Sequence, residues 1–201
     1  MEQTKRKIGD YTVLASFLIG EHEIALCENP DAPCEEVYLC GYIENNGLFE
    51  RLTDCMVSDS YAEIATFYGE RIAEKSEEVQ KKIEDILRKV EGDREISANA
   101  CKRVSYDERI EGKVIVLRGD VLRPEYRRST SQLLLCTGGF GAQANARGRT
   151  CFATRLYDGQ KTQCQRDDVL GVMPEELLPE WARTSLESLR REAKRETRGE
   201  R

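Results

Sequence analysis

A glycine- and arginine-rich stretch, residues 138–149, carries the strongest chemical signal in this sequence. Three glycines and two arginines form its candidate anion-binding set: Gly138, Gly139, Gly141, Arg147 and Arg149. Glycines allow positive φ and leave backbone amides uncovered, and arginines add charge-assisted contacts to phosphate. The alternative is a wide β-hairpin loop that needs glycine for its geometry. Neither a Walker loop nor a dinucleotide fingerprint fits, because no Gly-Lys-Ser/Thr follows and the next predicted element is a strand.

Further arginines and aromatic rings accompany this loop in the sequence. Arg127 and Arg128 precede the strand that leads into it, and we include them in the predicted binding set. Phe140, Tyr126 and Tyr157 offer stacking surfaces. Positive charge interleaved with aromatic residues is typical of proteins that bind single-stranded nucleic acid, although solvated strand faces show it too. No RNP segment or KH loop accompanies it.

Residues that commonly carry catalysis are scarce. His22 is the only histidine and falls in a predicted hairpin turn, so the usual base for a serine or cysteine nucleophile is lacking. Asp167 and Asp168 are adjacent, and neighbouring strand or turn side chains point apart. Ser129 to Ser131 is interpreted as a capped turn. We therefore predict no catalytic residue, no metal, no cofactor and no enzymatic activity.

Eight cysteines occupy positions 27, 34, 40, 55, 101, 136, 151 and 164. An even number would indicate a disulfide framework in a secreted chain. Here no secretion signal is visible and most cysteines fall in apolar strand patterns, which favours reduced, structural thiols. A zinc site built from the first four cysteines is the alternative, but the chain has no CxxC pair.

Charge is distributed unevenly along the 201 residues. Residues 1–100 carry 11 basic and 22 acidic side chains, whereas residues 101–201 carry 20 and 15. Residues 113–166 are the most basic stretch. Such asymmetry favours a module that faces a polyanion, although the two halves could simply attract each other. No apolar run approaches the roughly 18–20 residues that span a bilayer, so we predict a cytoplasmic protein without membrane contact.

The hydrophobic pattern predicts an α+β fold in two parts. In residues 1–92, three strands, and a fourth within residues 48–57, precede a long helix that begins after Ser60 with a capping-box pattern. Residues 93–112 have weak periodicity and form a predicted connector. Residues 113–201 alternate short strands with glycine turns, which is typical of a small β-barrel-like sheet, and end in a C-terminal helix.

Several segments resemble an uncharacterised accessory domain of large polyvalent proteins encoded on conjugative elements of gut Firmicutes. The resemblance rests on the glycine–arginine loop together with residues 113–117, 123–127, 167–171 and 178–182, and the segment before it is similar at residues 11–19 and 55–59. It implies a bacterial mobile-element setting, phage or plasmid, in which handling DNA and blocking host defences are common tasks. It implies no known activity and no catalytic residue.

Two functional hypotheses follow. The first is a non-enzymatic mobile-element accessory module that contacts nucleic acid, or a nucleic-acid-handling protein, through the basic loop. The second is an anti-defence protein, an anti-CRISPR or anti-restriction inhibitor, whose acidic first half binds a host defence nuclease complex. The sequence predicts neither the partner's identity nor the oligomeric state.

Overall fold

The computed structural model describes residues 6–46 and 48–199, with side chains up to residue 195. The chain divides into two compact units, the first ending at Ile86 and the second beginning at Leu87. Each unit contains a five-stranded antiparallel sheet. The predicted α+β class, with a sheet and long helix followed by a second sheet and a C-terminal helix, is confirmed. No helix in the described ranges is long and apolar enough to cross a membrane.

The first unit is a meander in which consecutive strands are neighbours. Its elements are β1 (Lys7–Ile8), β2 (Tyr11–Ile19), β3 (His22–Glu28), β4 (Tyr38–Asn45), β5 (Glu50–Ser58) and α1 (Tyr61–Lys89), whose last three residues belong to the second unit. The sheet is curled, because β1 comes to lie against β5 at the other end of the strand order. Arg6 spans this closure by pairing with Glu23 of β3 and Glu50 of β5, each at 2.6 Å.

Strand β3 buries side chains on both faces of the curled sheet, because successive side chains along a strand point to opposite faces. On one face, Ile24 and Leu26 of β3 are buried with Ile64 of α1. On the other face, Ala25 and Cys27 are buried with residues of β1 and β4. One β3 strand therefore supplies two cores, one under the helix and one inside the curl.

Helix α1 begins close to the predicted position, with a modified cap. The Glu63 amide donates to the Ser60 hydroxyl at 3.3 Å, as a capping box requires. The Glu63 carboxylate does not return to the Ser60 amide. It accepts from the Ser58 hydroxyl at 2.5 Å, and the same hydroxyl accepts from the Ser60 amide at 3.0 Å. The last residue of β5 thus completes the cap.

The second unit contains a sheet of order β10-β6-β7-β8-β9. Its elements are β6 (Val114–Leu117), α2 (Ser129–Gln132), β7 (Leu133–Gly138), β8 (Thr150–Arg155), β9 (Lys161–Gln165), β10 (Val169–Val172) and α3 (Glu180–Gly199). Sequence reasoning found neither β1 nor β10. Both are short, and β10 is recognisable only from its pairing with β6 and the bridge between Val172 and Lys102.

This sheet is covered on both faces. Val114 and Val116 point to a core with Ala182 and Leu186 of α3. Ile115 points to the other side, where it packs with residues of irregular segments such as Ile110 and Ala142. The second face is therefore covered by loops rather than by a helix.

Buried polar side chains hold residues 93–112 in the second unit. The Asp93 carboxylate accepts from the Ser129 hydroxyl at 2.7 Å and from the Thr130 amide and hydroxyl at 2.9 Å each. Gln132 is fully buried, accepts from the Ile96 amide at 2.7 Å, and donates to the Leu117 carbonyl at 2.8 Å. Apart from the bridge between Lys102 and Val172, this segment lies outside the sheet, so side chains help to satisfy its backbone.

Candidate functional site

Glycines in residues 138–149 permit a close crossing of backbones. Gly139 has φ of 97°, and a Cβ there would lie 2.5 Å from the Thr150 carbonyl oxygen. A Cβ on Gly141 would come still closer to the Arg149 carbonyl oxygen. The two ends of the loop thus pass each other where no larger residue fits. This geometry supports the structural interpretation of these glycines.

Arg166 ties the loop to the preceding segment. Its guanidinium donates to the carbonyl oxygens of Gly141 at 2.7 Å, Ser105 at 2.9 Å and Glu108 at 2.6 Å. Tyr106 adds a second tie, because its carbonyl accepts from the Asn145 amide at 3.1 Å and its hydroxyl donates to the Ala146 carbonyl. The loop is therefore held at its base and near its apex.

A pocket of about 440 Å³ lies between this loop and the residues it is tied to. Apolar side chains line part of it. Four arginines and one carboxylate also line it: Arg103, Arg147, Arg149, Arg166 and Asp167. Arg149 pairs with Asp167 at 3.1 Å, and both side chains are largely exposed. Arg103 and Arg147 are exposed and have no hydrogen-bond or ion-pair partner among the described residues. The pocket therefore presents surplus positive charge.

Two exposed aromatic rings stand beside this pocket. Tyr106 lines it and is 60% exposed. Phe140 is 79% exposed, and its Cβ lies so close to Gly148, another lining residue, that a Cβ on the glycine would come within 2.6 Å of it. An apolar ring with that exposure at the rim of an arginine-lined pocket is available to a ligand.

The structure brings together some, not all, of the predicted site residues. Arg147 and Arg149 line one pocket, and Gly138, Gly139 and Gly141 shape the loop that carries them. Arg127 and Arg128 do not line that pocket. The Arg127 side chain donates to the Leu122 carbonyl at 3.3 Å, and that of Arg128 to the Asp93 carbonyl at 3.4 Å.

A series of neighbouring basic and acidic side chains lies between Arg127 and the loop. Arg118 pairs with Asp120, and the pKa of Asp120 is lowered chiefly by that hydrogen bond, with a smaller contribution from Arg127. Arg118 also donates to the Asp167 carbonyl at 3.4 Å, and Asp167 pairs with Arg149. Basic groups beyond the pocket are thus partly neutralised by carboxylates.

Sequence reasoning missed Arg103 and Tyr106 as members of the site. Both lie in the stretch interpreted as a connector, whose weak periodicity gives no sign of which face its side chains take. Arg166 ends the basic stretch 113–166, but its three carbonyl contacts join residues far apart in sequence and cannot be inferred from local spacing.

The other sequence candidates occupy structural positions. Ser129 and Thr130 hydrogen-bond to Asp93, in agreement with a capped turn. Asp168 accepts from the Gln165 amide at 2.8 Å. The His22 ring lies 5.5 Å from that of Tyr42.

All eight cysteines are free thiols. Burial raises the pKa of Cys27 and of Cys164 to about 12 and that of Cys136 to about 11. These thiols are therefore protonated at neutral pH. Within the described ranges, no three or more His, Cys, Asp or Glu side chains gather so that they could hold a metal ion.

The first unit has a groove of about 820 Å³ beside a buried arginine. The Arg71 side chain is 10% exposed, pairs with Asp54 at 3.1 Å, and lies between the rings of Tyr42 and Phe67 at 4.9 and 4.5 Å. Tyr42 and Asp54 line the groove, and so does Lys75, which pairs with Glu78 at 2.8 Å. The groove carries both acidic and basic side chains, and most of them are paired with each other. Its charge therefore does not indicate one class of ligand.

Comparison of the chain with protein-family models, curated proteins and solved structures finds no significant match.

Proposed function

We propose that this protein is a non-enzymatic binding module that contacts nucleic acid through the arginine-lined pocket of its second unit. One observation carries the proposal. Arg103, Arg147, Arg149 and Arg166 line the same pocket against a single lining carboxylate, and two of them have no described partner. Guanidinium groups match phosphate oxygens geometrically and bind them with charge-assisted hydrogen bonds.

The anchoring of the loop supports this function. A binding site gains affinity when its groups are held in place before the ligand arrives, since less freedom is lost on binding. Arg166 and Tyr106 provide that support at Gly141, Asn145 and Ala146, and Arg147 and Arg149 follow these residues in the loop. We further propose the setting that the sequence resemblance implies, an accessory protein of a bacterial mobile element.

Binding driven by phosphate contacts weakens with salt, by about 0.7 to 0.9 units of log–log slope per contact. The test is titration of single- and double-stranded DNA and RNA at several salt concentrations, with the wild-type protein and the double variant Arg147→Ala/Arg149→Ala. We expect the double variant to flatten the slope by about 1.4 to 1.8 units.

The matched control is Arg190→Ala/Arg191→Ala. It removes the same charge from α3, where each arginine pairs with a glutamate. We expect its slope to equal that of the wild type. Equal slopes for all three proteins, or no binding to any nucleic acid at low salt, would disprove a role for the pocket. Arg127→Ala/Arg128→Ala tests separately whether the contact extends to the predicted residues outside it.

A second candidate function rests on the first unit. Helix α1 exposes glutamates at positions 70, 74, 77 and 84, which share one side of a helix because they are three, four or seven residues apart. We propose as the alternative that this acidic face imitates the charge of DNA toward a host nuclease or restriction complex. Plasmid protection in hosts carrying such systems tests it, with Glu70→Gln/Glu74→Gln/Glu77→Gln as the variant expected to lose protection. Protection that survives this variant would rule out the acidic face.

A further inference from the structure

The two exposed rings beside the arginine pocket indicate which form of nucleic acid the site would take. Phe140 and Tyr106 are among the most exposed large apolar or aromatic side chains of the second unit. Isolated exposed apolar residues are ordinary on protein surfaces, but these two border the arginine pocket, in which Arg103 and Arg147 have no described partner. Their position, rather than their exposure alone, calls for an explanation.

Both rings are held by contacts to the loop. Phe140 follows Gly139, whose φ is 97°, and its Cβ is held against Gly148. Tyr106 is fixed by the two contacts to Asn145 and Ala146 described above. Each ring is thus presented from a fixed point of the chain on either side of Arg147.

An exposed ring can stack on a nucleobase only if the base is out of a duplex. Bases inside a double helix offer their edges in the grooves, whereas a single strand exposes their faces. Aromatic stacking combined with arginine contacts to the backbone is the arrangement by which proteins bind single strands without sequence preference. Arginines without the aromatic rings would bind the phosphates of a duplex as well as those of a single strand.

We infer that the pocket of the second unit binds single-stranded nucleic acid, with bases stacked on Phe140 and Tyr106 and the backbone phosphates beside Arg147 and Arg149. This inference rests on the proposed function and adds the strand state and the stacking residues to it. The specificity is for strandedness rather than for sequence, because every base has a face that can stack.

The test compares an unstructured 12-nucleotide DNA with the duplex of the same sequence, by fluorescence anisotropy at fixed salt. We expect the single strand to bind more tightly. Phe140→Ala should weaken single-strand binding about 5- to 150-fold and leave both duplex binding and the salt slope unchanged. Phe140→Trp should retain single-strand affinity, and Phe140→Leu, which keeps apolar volume without an aromatic face, should not.

Phe152→Ala is the matched control, because Phe152 is a half-exposed phenylalanine of the second unit that lines a different pocket, together with Leu135 and Leu189. Its single-strand affinity should equal that of the wild type. Tyr106→Phe separates stacking from anchoring, since it keeps the ring and removes the hydroxyl contact to Ala146. We expect a smaller loss for this variant than for Tyr106→Ala.

The outcomes separate this inference from the function on which it rests. Equal or tighter duplex binding, with Phe140→Ala unchanged, would overturn the single-strand inference, while a slope flattened by Arg147→Ala/Arg149→Ala would still support phosphate contact. Binding that loses affinity equally with Phe140→Ala and Phe152→Ala would show a general apolar effect and also overturn it. No binding at low salt would overturn both.

Discussion

The two units build sheets of equal strand number in different ways. In the first, strands follow one another as a meander, and the closing contacts are ion pairs of Arg6 at the surface. In the second, irregular segments cover one face of the sheet, and buried or partly buried polar side chains such as Gln132 and Arg166 bind backbone groups of irregular segments. Regular strands satisfy their own backbone, whereas irregular segments need side chains to do so.

The difference extends to charge. The first unit carries a net charge of −11 and the second +5, counted through Ile86 and from Leu87. The proposed site lies in the second unit, on a loop held by a rigid sheet, which is where binding residues commonly occur. Polar side chains let irregular segments form a defined binding surface. The stability of that surface then depends on a few contacts.

Thiol reactivity should separate buried from exposed cysteines by the largest factor. Cys34 is exposed, whereas Cys27 and Cys164 are buried with pKa values raised to about 12. Because only a thiolate attacks and the buried thiols react only after opening, we expect at least about 1000-fold slower labelling at pH 8. Peptide mass spectrometry after timed labelling measures this.

Labelling in rising denaturant then compares the units directly, through Cys27 in the first and Cys164 in the second. We expect the two cysteines to become reactive at different denaturant concentrations, because each unit has its own core. Simultaneous exposure would show that the units unfold as one. Cys34→Ser is the control and should remove the fastest phase.

Removing Asp93 should destabilise the second unit by about 3 kcal/mol, because three buried donors lose a charged acceptor. The variant is Asp93→Ala, and the control is Glu91→Ala at an exposed position, expected within about 0.5 kcal/mol of wild type. The single tryptophan, Trp181, lies in the second unit and reports its unfolding in urea. A midpoint equal to that of the control would contradict the dependence on buried polar contacts.

Gly141→Ala should cost about 2 kcal/mol, because the new Cβ meets backbone that cannot move without opening the loop. Gly159→Ala is the matched control. Gly159 has φ of 70° with open space around it, so only the conformational cost of about 1 kcal/mol applies. Urea unfolding followed at Trp181 measures both, and equal costs would mean that the close crossing is dispensable.

Acid should weaken the first unit through the Arg6 ion pairs, and this is the smallest of the effects predicted here. Hydrogen bonds from Arg6 lower the pKa of both Glu23 and Glu50. A lowered pKa contributes stability above the unfolded value of about 4.3, and the contribution is lost as pH falls through the folded value. The Glu23 and Glu50 side chains are 23% and 29% exposed, and partial screening by solvent keeps the change small.

Thermal unfolding by circular dichroism between pH 7 and pH 3, for wild type and Arg6→Gln, measures this contribution. We expect the difference between the two proteins to shrink below about pH 4.3. A difference that stays constant down to pH 3 would assign the effect of Arg6 to packing instead.

Local pattern predicted most of the regular elements, and contacts distant in sequence account for what it missed. Alternation and turn residues located β2 to β5, and the helical spacing located α1. The cap of α1 was predicted only in half, since Ser58 belongs to the preceding strand. In the site, the sequence identified Arg147 and Arg149 because they flank one glycine. It did not identify Arg103, which lines the pocket through contacts between residues distant in sequence.

The close backbone crossing at Gly139 and Gly141 also has an evolutionary consequence. We expect relatives that keep this loop to favour glycine at both positions, whatever they bind, because the constraint comes from the chain itself. Residues nearer the apex, including Arg147, face no such constraint and are free to diverge with the ligand. Glycines at positions 139 and 141, followed by variable residues around Arg147, are therefore a pattern by which distant relatives can be recognised and grouped by specificity.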